Sequence, residues 1–214
     1  TWSPSELQAM GLDANAFYYL VDDVTVASGV KLTIEPGTVV KFARRGIDDN
    51  FHEVHLNVNG ALWAQGNAGS KIYFTSLDDG AVGGNSGGDG APDSTDWGYI
   101  AFNDSSDDAN FLMEHCVIRY GGNNWDGGNR GEDWLFRVSN ASPTIRNCQI
   151  TDCRRVFYAT GQSSMMIVSN SFHSLAGDWG LNFSVSDTST LTLTDNSIVC
   201  SGGDGVYVAN GNGQ

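Results

Sequence analysis

"FRVSNASPTIRNCQITDCRRVFYATGQSSMMIVSNSFH", residues 136–173, decides the fold. Three short apolar runs follow one another in it and then return in the same order. Phe136-Arg137-Val138 is answered by Val156-Phe157-Tyr158, Ile145 by Ile167, and Ile150 by Phe172. The order extends in both directions. The first run recurs at Ile100-Ala101-Phe102, Leu181-Asn182-Phe183 and Val206-Tyr207-Val208, the second at Leu112 and Leu193, the third at Ile118 and Ile198. The second series steps by 33, 22 and 26 residues and the third by 32, 22 and 26. Two independent series with nearly one step define a repeating three-strand coil, with an insertion lengthening the first step. That is the pattern of a parallel β-helix, a solenoid whose coils stack into long parallel sheets.

Strand alternation puts Phe136 and Val138 inside and Arg137 outside. Arg137 is expected in one outward column with Phe157, Asn182 and Tyr207. Asn147, Asn170 and Asn196 follow the second run and are expected to form an amide ladder at the ~4.8 Å strand spacing. Cys116 and Cys148 each precede the third-run apolar position by two residues, so they stack on adjacent coils. A disulfide and a pair of buried thiols are both open there.

The rest of the chain is consistent with this reading. There are 27 Gly and only 4 Pro, and Val, Ile, Phe and Thr runs are broken by Gly, Asn, Asp and Ser. One helix is predicted, in "SPSELQAMG" (3–11), where Ser3 caps, Pro4 opens the first turn and Glu6 completes a capping box. Residues 1–17 are then a cap segment and 18–214 a single β-helix. No comparable cap follows Val208, so a further domain or subunit is expected at that end. The chain begins at Thr1 without a visible signal peptide, which predicts that a segment has been removed.

"LTIEPGTVVKF" (32–42), "VNGALWAQGN" (58–67) with "KIYFTS" (71–76), and "DWGYIAF" (96–102) add a family signal. Together they resemble the right-handed parallel β-helix domains of the pectin-lyase-like superfamily, in the form found in secreted and surface proteins of bacteria. The resemblance spans about residues 18–208. It implies an all-β, right-handed solenoid with three strands per coil and an extracellular or cell-surface location. The lyases of that superfamily lay an acidic polysaccharide along one sheet, with calcium and a basic residue assisting proton removal. No catalytic motif of the family is matched residue by residue. The glycosidase pattern, an Asn-Thr-Asp strand with a paired Asp and a Gly-His-Gly, is missing.

Charge narrows the partners. With 25 acidic against 11 basic residues the net charge is −14, which excludes a general binder of nucleic acid or anionic membrane. No apolar run reaches the roughly 18 residues of a membrane span. The four Cys form no CxxC pair, so zinc is a poor reading. The "HEVH" of 52–55 lacks the spacing of a helical zinc site.

Three insertions break the period: 43–55, 78–96 and 121–133. The second and third enter just before Trp97 and Trp134, so they leave one corner of the solenoid side by side, and Trp179 belongs to the same corner. In the second, oxygen ligands fall at calcium-loop positions: Asn85, Asp89, the Ala91 carbonyl, Asp93 and Asp96, with Gly90 at the turn and Asp79 at the base. Gly87 stands where one ligand is wanted. Trp125 in the third insertion is the best aromatic platform for a sugar ring. Six of the eight Arg lie between 119 and 155. Arg137 and Arg154, with Asp133 and Asp152 nearby and Phe157 and Tyr207 beside them, form the expected glycan-binding set, since Arg suits carboxylate or sulfate.

The reading is a noncatalytic extracellular module, calcium-stabilised, that binds a polysaccharide or a surface protein. Two alternatives stay open. One is a polysaccharide lyase or glycoside hydrolase acting on an acidic glycan; the other is a structural spacer or filament-forming surface protein.

Overall fold

The structure is a computed structural model. It describes residues 1–44, 53–84, 91–94, 96–104, 107–123, 134–173, 181–185, 188–199 and 206–210, without the side chains of 181–183 and 207–210. After the cap helix α1 (Pro4–Ala9), short strands follow one another to the end. They begin with β1 (Tyr18–Leu20), β2 (Val24–Val26), β3 (Lys31–Ile34), β4 (Val39–Phe42), β5 (Leu56–Val58), β6 (Ala61–Gln65) and β7 (Ile72–Ser76). Next come β8 (Ile100–Phe102), β9 (Leu112–Glu114), β10 (Cys116–Arg119), β11 (Trp134–Ser139), β12 (Thr144–Arg146) and β13 (Gln149–Thr151). The last are β14 (Arg155–Thr160), β15 (Ser164–Val168), β16 (Ser171–His173), β17 (Leu181–Val185), β18 (Thr190–Thr194), β19 (Ser197–Val199) and β20 (Val206–Asn210).

Every third strand pairs with the one before it, always in parallel. Sheet I runs β2-β5-β8-β11-β14-β17-β20, sheet II β3-β6-β9-β12-β15-β18, and sheet III β1-β4-β7-β10-β13-β16-β19. The chain visits III, I and II in strict rotation, so each coil has three strands, as the period requires. Ile118, Ile150, Phe172 and Ile198 are successive register partners in sheet III. The other two series need one shift each. Ile145 pairs with Met113, so Leu112 lies on the outward side and the step becomes 32. Phe136 pairs with Phe157 and Arg137 with Tyr158. Phe157 is therefore a core residue, fully buried, its ring stacked on Phe136 at 5.0 Å. The register step is 21 residues, one more than matching Phe136-Arg137-Val138 to Val156-Phe157-Tyr158 implies.

The core is the inside of the tube. Ile34, Phe42, Leu56, Phe74, Phe102, Phe136, Phe157 and Phe172 are essentially inaccessible. Each such side chain contributes about 1.5–3 kcal/mol by leaving water. At the N-terminal end Ser3 Oγ accepts from the Glu6 amide at 3.1 Å, and Leu7 is buried. Trp2 bridges to Ile34 and stacks on Tyr18 at 5.1 Å, which ties the cap segment to the first coils.

From β9 onward the corner from sheet II to sheet III is tight, with one or two residues between strands. His115, Asn147, Ser169 and Asp195 occupy the same turn position, with φ of 49°, 54°, 55° and 55°. Short polar side chains adopt this left-handed region at the least cost. The next residue of each coil, Cys116, Cys148, Asn170 and Asn196, points inward and forms the ladder. Asn196 Oδ1 accepts from the Asn170 amide at 2.9 Å, and Asn170 Oδ1 from the Cys148 amide at 2.8 Å. Asn170 Nδ2 donates to Ile145 O and Asn196 Nδ2 to Ile167 O. Asn147 is not a ladder member; it makes the turn. Cys148 takes the missing rung: its Sγ accepts from the Cys116 amide at 3.4 Å and donates to Met113 O at 3.5 Å. Cys116, Cys148 and Cys153 are free, buried thiols. Burial pushes the Cys116 thiol well above its ordinary value and that of Cys153 up to about 12.

The corner from sheet III to sheet I carries the long connections: 43–55, 77–99, 120–133, 174–180 and 200–205, with 21–23 and 152–154 the short ones. All three insertions leave here, including the first. Chemistry that differs from coil to coil is thereby gathered on one side of the tube.

Candidate functional site

The outer face of sheet I beside this corner collects rings and guanidinium groups. Two outward columns cross it. In the first, Asp23, His55 and Tyr99 stand one residue before β2, β5 and β8, whose register pairs Val24 with Leu56 and Leu56 with Ile100. In the second, Ala101, Arg137, Tyr158 and Ser184 are consecutive partners in β8, β11, β14 and β17.

These side chains contact one another. Asp23 Oδ1 accepts from the His55 amide and from His55 Nδ1, both at 2.9 Å. The His55 ring stacks on Tyr99 with centroids 3.9 Å apart, and the Arg137 guanidinium lies 4.1 Å from the Tyr99 ring centre. Toward the next coil, Trp134 packs against Tyr158 at 5.6 Å, and Arg155 lies over Trp134 at 5.5 Å. Tyr158 is the most open ring of the group, 36% exposed. Tyr99 has His55 on one side and Arg137 on the other, so Tyr158 rather than Tyr99 has a ring face for a ligand. An exposed ring next to a guanidinium suits a sugar ring that bears an acidic or hydroxyl group.

The corner wall beside this face is built on buried charge. Asp79, 2% exposed, accepts from Arg119 Nε at 2.7 Å, from Thr75 Oγ1 at 2.6 Å and from the Ala81 amide. Lys41 is fully buried and donates to the Asp79 and Gly84 carbonyls at 2.8 Å each. Burial lowers its pKa. Asp96, 1% exposed, accepts from Ser76 Oγ at 2.6 Å and from the Asp93 amide at 3.2 Å. Its Oδ1 has no hydrogen-bond donor and lies 3.8 Å from Arg44 Nε. Burial pushes the Asp96 carboxyl up to about 6. Trp97 follows, inaccessible, stacked on Phe42 at 4.2 Å, its indole N–H donating to Arg119 O at 2.8 Å. Gly121 sits against that indole so closely that a Cβ would come within 2.5 Å of it, which binds the second insertion to the third.

The expected site residues divide accordingly. Arg137 is on the outer face, and Phe157 is not. The backbone register puts Tyr207 opposite Asn182, two residues before the partner of Ser184, so it is in the Tyr99 column and not that of Arg137. Asp152 and Arg154 lie in the short 152–154 connection. Asp152 takes a left-handed turn (φ 52°) and accepts from Thr151 Oγ1 at 2.8 Å, and the Arg154 amide donates to Gly121 O. Trp97 and Trp134 share the corner but differ by one register step, one in the core and one outside. Trp125, Asp133, Asn85, Asp89 and Trp179 lie outside the described residues.

For calcium, Asp79 does not fit, because Arg119 already neutralises it. Asp96 Oδ1 fits better: it is a buried carboxylate oxygen that accepts no hydrogen bond, and the Arg44 guanidinium 3.8 Å away is half exposed. Ala91 and Asp93 are exposed beside it in sequence. Among the described residues no three His, Cys, Asp or Glu are grouped to hold a metal ion.

The sequence reading missed Asp23, His55, Tyr99, Tyr158 and Lys41. The signal was present for the first three, since each immediately precedes a sheet I strand in successive coils. In the sequence His55 stands out only as part of "HEVH". Gly98 explains its seat, because a Cβ there would fall 2.1 Å from the His55 ring.

No curated protein and no solved structure matches the chain. The family described as the right handed beta helix region matches residues 98–214, more than half of the chain and the part where the coils are most regular. With three parallel sheets visited in rotation and this match over them, the chain belongs to the right-handed β-helix family.

Proposed function

We propose that the chain is a noncatalytic extracellular module that binds a glycan across the outer face of sheet I. The observation that carries this is the exposed Tyr158 ring in register with Arg137, whose guanidinium is stacked on Tyr99. In a chain of net charge −14, Arg137, Arg154 and Arg155 make this the place where a carboxylated or sulfated sugar is least repelled. On the same two coils, Arg155 over the Trp134 ring carries the surface toward the corner.

The noncatalytic part is supported by how the titratable groups are engaged. Asp23 and His55 form a pair of the kind that orients a general base, yet His55 Nε2 is buried against the Gly98 backbone, where even a Cβ would lie 2.4 Å from it, so a substrate atom has no room there. Glu53 accepts from Asn123 Nδ2 at 2.8 Å. Asp79 and Asp96 are buried at the foot of the loop.

Calcium belongs to the same proposal. Asp93 and Asp96, with Asn85, Asp89 and the Ala91 carbonyl, would hold it, and the ion would add to Arg44 in balancing the buried Asp96 carboxylate.

The test is retention on immobilised dextran, dextran sulfate and alginate. The reading predicts binding to the two anionic polymers without release of reducing or unsaturated ends, and loss of binding in Arg137→Ala and Tyr158→Ala. Product release would move the chain to the enzymes. Equal binding by the variants would remove sheet I as the site.

A further inference from the structure

Arg137 is held by a column of residues that runs back through three coils. Asp23, His55 and Tyr99 precede β2, β5 and β8, which are neighbours in sheet I, and Arg137 comes from the next strand, β11. Because β8 lies between β5 and β11, His55 and Arg137 meet opposite faces of the Tyr99 ring. The contacts are 2.9 Å from Asp23 to His55 Nδ1, 3.9 Å between the His55 and Tyr99 rings, and 4.1 Å from Tyr99 to the guanidinium. A carboxylate only accepts, so Nδ1 carries the proton and the ring orientation is fixed. Gly98 leaves no room for any other residue over His55. A long Arg side chain otherwise samples many rotamers and loses that freedom on binding. Here a planar guanidinium is pinned on an aromatic face whose own position is set from behind.

We propose that Asp23, His55 and Tyr99 are positioning residues that pre-orient Arg137 for its ligand across four coils. Tyr99 is then a support for the binding arginine and not a sugar platform. The functional half of this rests on the glycan reading above; the pinning of Arg137 does not.

Two measurements separate the halves. The first is the rate at which phenylglyoxal modifies Arg137 in the free protein, followed by peptide mass spectrometry. His55→Ala is expected to raise it several-fold, and His55→Phe, which keeps the ring and loses the Asp23 bond that orients it, is expected to fall between His55→Ala and wild type. The second is the affinity for dextran sulfate. His55→Ala is expected to weaken it about 3- to 10-fold, the range of one lost cation–π support. In an Arg137→Ala background the same change is expected to do nothing. Circular dichroism and melting curves confirm that each variant is folded. An Arg137 modification rate unaffected by His55→Ala overturns the proposal, as does an effect of His55→Ala on binding that persists without Arg137. If Arg137 is unpinned by His55→Ala but no form of the protein binds dextran sulfate or alginate, the positioning column stands and the glycan reading falls.

Discussion

Two corners of one solenoid solve the same problem in opposite ways. At the corner from sheet II to sheet III the four coils from His115 to Asp195 turn alike, and amides and thiols bond from coil to coil. At the corner from sheet III to sheet I the connections run from three residues to more than twenty. Order there comes from buried ions specific to one coil, Asp79 with Arg119 and Lys41, and Asp96 with Ser76 and Arg44. The repetitive corner holds the tube together. The irregular one carries what differs, and the proposed binding face lies beside it. A repeat frees one side for function by making another side uniform.

The comparison breaks most sharply at Arg119. Arg119→Met leaves the Asp79 carboxylate buried without its cation and is expected to cost about 3–5 kcal/mol by urea unfolding. Adding Asp79→Leu is expected to recover most of that loss. A single-variant cost below about 1 kcal/mol would mean that the corner is not held by this pair. Next in size is Asn170→Ala at the tight corner. It removes the acceptor of the Cys148 amide and the donor to Ile145 O in the interior. The expected cost is about 2–3 kcal/mol, and a neutral result would show that the ladder is ornamental.

The smallest effect separates the corners by pH. The Asp96 carboxyl, raised by burial to about 6, favours its neutral form in the folded chain. Its contribution to stability is complete below the ordinary carboxylate value and is lost as pH rises through about 6. In chelator, the melting temperature of wild type is expected to fall relative to Asp96→Asn between pH 4 and 7. Parallel curves would sink this. Millimolar calcium is expected to raise the wild-type value above that pH and to leave Asp96→Asn unmoved. No shift in either protein removes calcium from the proposal.

What the sequence made legible follows the same division. The tight corner repeats, so Ile118, Ile150, Phe172 and Ile198 could be aligned by counting, and three strands per coil followed. Counting failed where a run could be aligned one residue out of register. Phe157 then moved from the outer face to the core, and Asn147 stood in for Cys148, because a thiol is not expected to do an amide's work. At the irregular corner periodicity has no purchase. Nothing in the string "DDGAVGGNSGGDGAPDSTDWG" says that Asp79 meets an arginine 40 positions later or that Asp96 is buried. The column of Asp23, His55 and Tyr99 was readable only once the first-half strands were in register.

The central claim is that the ligand face is the outer side of sheet I at Arg137 and Tyr158. Chemical-shift mapping of the labelled protein during titration with an alginate oligosaccharide tests it most directly. The account predicts shifts concentrated on Tyr99–Ala101, Arg137, Tyr158 and Trp134, with sheet II unmoved. Shifts gathered on sheet II or on the cap segment, with none at Arg137 or Tyr158, would contradict it.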